Sequence, residues 1–99
     1  MRVLLVEDDP ELRRRLTERL VAAGIAVDSA ASAGDARDWP DIDMLGAVIL
    51  DLGLPDGDGI DVLRYWRGAG RTVPILILTA RGNWREKVEG LNSGADDFI

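Results

Sequence analysis

Three apolar runs limit what this chain can become: MRVLLV at 1–6, GAVIL at 46–50 and ILIL at 75–78. A strand with one face in water alternates apolar and polar residues, and these runs do not alternate. Unbroken stretches of this length mark strands buried on both faces, as in a parallel sheet with helices packed on each side. Parallel neighbours also need long crossovers, and the intervening segments have the length and patterning of helices.

The punctuation agrees. Asp9 is a good N-cap, Pro10 suits a first helical turn, and Leu12, Leu16, Leu20 and Ala23 recur at helical spacing until Gly24 stops the helix. Ile25–Ala30 reads as a weaker strand, and Ser32 caps a short helix to about Trp39, which Pro40 ends. A helix over Gly59–Gly68 turns Ile60, Leu63 and Trp66 to one face. Trp84–Ser93 is a further helix with Gly94 as its C-cap, and Asp97-Phe98-Ile99 begins another strand. The expected fold class is α/β, a doubly wound parallel sheet in one domain of 99 residues, with no repeat or linker. Its last strand breaks off at Ile99, so the chain reads as a fragment of something longer.

Composition removes several kinds of chemistry. The chain has no cysteine and no histidine, so thiolate chemistry, cysteine metal sites and the commonest general base are excluded. A net charge of −6 argues against this segment alone gripping nucleic acid. No run has the length of a membrane span and no signal-peptide pattern opens the chain, so a cytoplasmic protein without membrane contact is expected.

In a doubly wound sheet, functional groups gather at the carboxyl ends of the strands. There the first strand ends in Glu7-Asp8, the third in Asp51 and the fourth in Thr79. Taken singly these are ordinary: a solvated helix-start cluster, a turn residue, a strand threonine. With the first strand between the second and third, however, Asp51 sits beside Glu7 and Asp8, and three carboxylates crowd one pocket. An all-oxygen acidic site favours a hard divalent cation such as Mg²⁺. Such a cation beside a hydroxyl and free backbone N–H groups suits phosphoryl transfer, with the central Asp51 as nucleophile.

The stretch DLGLPDGDG at 51–59 also suggests a calcium loop, and spacing rejects it. Counting an EF-hand from Asp56 puts Ile60, Asp61 and Arg67 at positions 5, 6 and 12; counting from Asp51 puts Gly53 and Pro55 at positions 3 and 5. Asp56 and Asp58 read instead as turn and cap residues, with Asp58 starting the helix after it.

The blocks VEDD (6–9), ILDLGLPDGDG (49–59), PILILTAR (74–81) and GLNSGADDF (90–98), in that order, resemble the receiver domain of two-component response regulators. The winged-helix OmpR-type subfamily fits best, and DLGLPD, RYWR and LTAR followed by Trp84 and KVEGL look most like its PhoP-type members. The resemblance implies the flavodoxin-like, CheY-like (βα)5 fold, here without its final helix. It implies Asp51 as phospho-acceptor and Mg²⁺ held by Asp8, Asp51 and the Gly53 carbonyl, with Glu7 acting through water. Thr79 becomes the switch hydroxyl, the Ala80 N–H a second donor to the phosphoryl group and Phe98 the switch aromatic. The implied phosphodonor is a phosphohistidine on a partner sensor histidine kinase. Activated members dimerise through a face to which Lys87, Asp96 and Asp97 correspond, and they reach DNA only through a C-terminal domain that this chain lacks.

The family's Lys-Pro, which would follow shortly after Asp97, lies past Ile99. Two other readings compete. An aspartyl-phosphate hydrolase usually carries a second acid two residues after its nucleophile, where this chain has Gly53. A pseudo-receiver that only binds a partner would not need the intact Glu7, Asp8, Asp51 and Thr79.

Overall fold

The apolar runs become neighbouring parallel strands. A computed structural model describes residues 1–78 and 84–98, with the backbone alone for 84–87 and 98. The order is β1 (Arg2–Val6), α1 (Pro10–Ala22), β2 (Ala26–Ala30), α2 (Ala33–Arg37), a 3₁₀ turn (Ile42–Met44) and β3 (Ala47–Asp51). Then come β4 (Gly53–Leu54), β5 (Gly57–Asp58), α3 (Gly59–Gly68), β6 (Ile75–Leu78), α4 (Trp84–Asn92) and β7 (Asp97–Phe98). The main sheet runs β2-β1-β3-β6-β7, with every described pairing parallel.

Strand order places the helices. The chain steps from β1 to β2 in one direction, then crosses back over β1 to β3. Right-handed crossovers therefore put α1 on one face of the sheet and α2 on the other. The main core lies on the α2–α3 side: Leu4, Val6, Val48, Leu50, Ile75 and Ile77 meet Ala36, Ile60, Leu63 and Trp66. The three α3 residues expected to face inward do so, at 2%, 0% and 1% exposure for Ile60, Leu63 and Trp66. On the α1 side the strands are less covered, and Ile49, Leu76 and Leu78 are only half-buried.

The caps form as expected. Asp9 accepts the N–H groups of Glu11 and Leu12, Ser32 that of Asp35, and Asp58 that of Ile60. Gly24 and Gly94 leave their helices at φ 85° and 113°, conformations that favour glycine. Three details differ from expectation. The second helix ends at Arg37 rather than near Trp39: Asp38 is its C-cap, and the Trp39 N–H closes a tighter turn onto the Ala36 carbonyl three residues back. A 3₁₀ turn follows it, carrying Ile42 into the core while Asp43 accepts the Thr72 and Val73 N–H groups. Within 51–59, residues 53–58 form a small antiparallel hairpin rather than an unpaired turn, with Gly53 opposite Asp58 and Leu54 opposite Gly57.

Candidate functional site

Strand register assembles the acids. Val6 pairs with Leu50 in the β1–β3 ladder, so the next residues outward, Glu7 and Asp51, stand side by side at the end of the two strands. The Glu7 N–H still donates to the Ala30 carbonyl at 3.0 Å, which holds its backbone to the sheet. Carboxylate oxygens of Glu7, Asp8 and Asp51 all lie within 4.8 Å of one another. The expected crowding at one sheet edge is therefore present.

These acids differ in environment. Asp8 and Asp51 are half-buried, whereas Glu7 is 3% exposed and is the only charged residue buried to that degree among those described. Its Oε1 accepts the Asp9 N–H at 3.2 Å, and its Oε2 has no hydrogen-bond partner among the described residues. Burial first, then the adjacent Asp51 carboxyl, push the Glu7 carboxyl up to about 7; the Asp9 N–H opposes them, and the nearby Asp8 charge adds the smallest push. Leaving a buried carboxylate oxygen without a donor is costly, and a cation is the partner that removes the cost for all three acids together. The donors are oxygen only, which fits a hard ion such as Mg²⁺.

The surrounding backbone is closely constrained. The Gly53 N–H donates to Asp51 Oδ1 at 3.3 Å, and the Gly59 N–H donates to the Leu52 carbonyl at 3.0 Å. Gly59 has to be small: a Cβ there would stand 2.5 Å from the Asp51 carbonyl oxygen and 2.9 Å from Leu52 Cα. Arg13 on α1 donates from Nη1 to the Glu7 carbonyl at 2.9 Å, pinning the start of the acidic segment. Sequence reasoning passed over Arg13, since nothing in its spacing distinguishes it from the other α1 arginines.

Residues 3–99 match the response regulator receiver domain. The chain belongs to that family. The receiver domain is 46% identical over its whole length to the virulence transcriptional regulatory protein PhoP of Salmonella typhimurium, spanning 44% of that protein. Among solved structures it resembles the BeF3-activated N-terminal receiver domain of Klebsiella pneumoniae RstA, with TM-score 0.92 and 28% identity, covering 100% of this chain and 84% of that one. TrrA of Thermotoga maritima, in complex with Mg²⁺ and BeF, gives TM-score 0.86 and 28% identity, covering 99% and 84%. The CheY-like α/β fold and the place of this receiver domain among the response regulators of two-component signalling follow. It spans less than half the length of the curated relatives it matches.

Of the other residues marked in the receiver sequence, Thr79 and Ala80 lie outside the described residues, as do the side chains of Lys87 and Phe98. The backbone of Lys87 belongs to α4 and that of Phe98 to β7, where it pairs with Ile77. Asp96 and Asp97 are exposed at the start of β7, but Asp96 is engaged within the chain: its Oδ2 accepts the Ile75 N–H at 2.7 Å and Arg67 Nη2 at 3.1 Å. A cleft of about 410 Å³ lined by Trp39, Tyr65 and Trp66 shares no residue with the acidic cluster. Among the described residues, no helix is long and apolar enough to cross a membrane.

Proposed function

We propose that Asp51 is the phospho-acceptor of this receiver domain and that Glu7, Asp8, Asp51 and the Gly53 carbonyl hold Mg²⁺, Glu7 through water. The observation that carries this reading is the convergence of three carboxylates within 4.8 Å around a buried glutamate oxygen that no other described group serves. A bound divalent cation would offset charge on the phosphoryl oxygens and on the acids themselves. An Asp51 carboxylate oxygen forms a bond to phosphorus as the N–P bond of a phosphohistidine breaks, and the bonding pair returns to the imidazole nitrogen of a sensor histidine kinase. The chain has no histidine of its own to act as donor. Thr79 and the Ala80 N–H then bind the phosphoryl oxygens, and Phe98 moves with Thr79. Because the phosphoryl group binds one conformation better than the other, the population shifts.

In the longer protein the shift controls dimerisation, through a face that includes Lys87 and Asp97, and a winged-helix DNA-binding domain that regulates transcription in the cytoplasm. Asp96 joins that face only by giving up its contacts with Arg67 and Ile75. The domain is a signalling switch without turnover on outside substrates, since Gly53 stands where a second catalytic acid is needed.

Acetyl phosphate with Mg²⁺ is expected to add one phosphoryl group, read by intact mass, and Asp51→Asn to abolish it. Equal labelling of the variant would remove Asp51 from the mechanism.

A further inference from the structure

The hairpin beginning at Gly53 is too small to hold its own shape. Two rungs, Gly53 with Asp58 and Leu54 with Gly57, join its strands, and isolated hairpins even longer than this are marginal in water. Its base is secured by the Gly59 N–H on the Leu52 carbonyl and by burial of Leu52 and Leu54 at 6% and 9% exposure. Its tip, Pro55-Asp56, reaches across to another element. Asp56 Oδ1 accepts the Ala33 N–H at 2.7 Å and Oδ2 accepts the Gly34 N–H at 3.0 Å.

We propose that Asp56 is a positioning residue for the acidic site: by clamping the hairpin tip to the first turn of α2, it sets the backbone of Gly53 beside Asp51. The inference rests on the reading of the Gly53 carbonyl as a cation ligand.

The contact is close along its length. A Cβ at Gly34 would stand 3.4 Å from Asp56 Oδ2, and one at Gly57 3.5 Å from the Ala33 Cβ, so tip and helix already touch. Each carboxylate oxygen has its own donor, which makes the grip two-pointed and resistant to rotation. Those two bonds, Gly34 first, also lower the Asp56 carboxyl from its ordinary range, so it stays ionised and able to accept both. Preset backbone ligands bind a cation more tightly than mobile ones, because less order is lost on binding.

The plainer alternative is that Asp56 only caps α2. Ser32 separates the two, because it caps the same helix by accepting the Asp35 N–H at 3.1 Å rather than any N–H held by Asp56. The experiment is a Mg²⁺ titration of the 99-residue chain followed by the amide resonances of Gly53, Ala33 and Gly34. Asp56→Ala is expected to weaken Mg²⁺ about tenfold, the range for groups that orient metal ligands, and Asp56→Asn, which keeps one acceptor oxygen, about threefold. Ser32→Ala is expected to lower the melting temperature and leave Mg²⁺ affinity within about twofold of the parent. Parent-like affinity of Asp56→Ala overturns the clamp, as does an equal loss in Ser32→Ala. If Asp56→Ala does not fold, the Asp56→Asn comparison decides alone. Failure of the underlying site looks different: the parent chain then shows no saturable shift, or Asp51→Asn binds as tightly as the parent, and the clamp falls with it.

Discussion

Replacing Gly59 by alanine tests how tightly the loop after β3 holds Asp51. The added Cβ would meet the Asp51 carbonyl oxygen at 2.5 Å, Leu52 Cα at 2.9 Å and Leu52 Cδ2 at 3.2 Å. The first two are main-chain atoms, so no side chain can rotate away. Ordinary contact requires the carbonyl to retreat by about 0.9 Å. That movement also pulls on the Gly59 N–H bond to the Leu52 carbonyl. Overpacking of this kind costs about 1–3 kcal/mol. Alanine's helix preference, up to roughly 1 kcal/mol in a helix interior, returns only a fraction because Gly59 is the first residue of α3. The expected net loss is about 1–2 kcal/mol, or roughly 4–15 °C in melting temperature for a domain of this size.

The functional loss should be larger than the loss of stability suggests. Displacing a reacting group by about 1 Å can cost on the order of a hundredfold in rate. Labelling by acetyl phosphate at a temperature where both chains are folded is therefore expected to slow by tenfold or more, on the order expected for such a displacement. Gly68, at the other end of the same helix with open space around its Cβ position, is the control. Gly68→Ala, also at a helix end, should stabilise by no more than a few tenths of a kcal/mol and leave labelling unchanged. If Gly59→Ala melts and labels like the parent, the close packing under Asp51 is not what positions it.

Two other consequences can be measured separately. Glu7 has its folded-state carboxyl raised from 4.5 to about 7, so the folded state binds the extra proton in between. Its contribution to stability is then fully present below about 4.5 and lost as pH rises through about 7, at most roughly 3 kcal/mol. In metal-free buffer, urea midpoints of the parent should fall relative to Glu7→Gln across that window, and Mg²⁺ should reverse the fall; parallel pH profiles would contradict the assigned burial. Arg67 donates to the Gly94 and Arg71 carbonyls at 2.9 and 3.0 Å and to Asp96 at 3.1 Å, joining α3 to the turn before β7. Arg67→Ala should cost about 1–3 kcal/mol in urea denaturation, and Arg67→Lys should recover less than half, because one ammonium cannot span a three-acceptor fork.

Much of this receiver domain is legible in its sequence. Apolar runs without alternation marked the central strands as parallel, because side-chain period and burial are tied together over a few residues, although Ile49, Leu76 and Leu78 on the α1 side are only half-buried. Asp9, Ser32 and Asp58 declared themselves as caps because capping acts across two or three positions. Even the meeting of Glu7, Asp8 and Asp51 followed from strand order, since all of them leave one edge of one sheet.

What the chain could not announce lies in contacts between distant segments and in the exclusion of water. Glu7 reads as one more acid in a solvated cluster, and only the packing around the β1 edge makes it a buried carboxylate that retains a proton near neutrality. Asp56 reads as a turn residue, and its donors at Ala33 and Gly34 lie more than twenty positions away. Asp96 resembles an interface acid, yet folding gives it Arg67 and the Ile75 N–H as partners. Local pattern governs which elements form and which edge carries the acids. Desolvation and long-range hydrogen bonds exist only after those elements pack, and they decide how each acid behaves there.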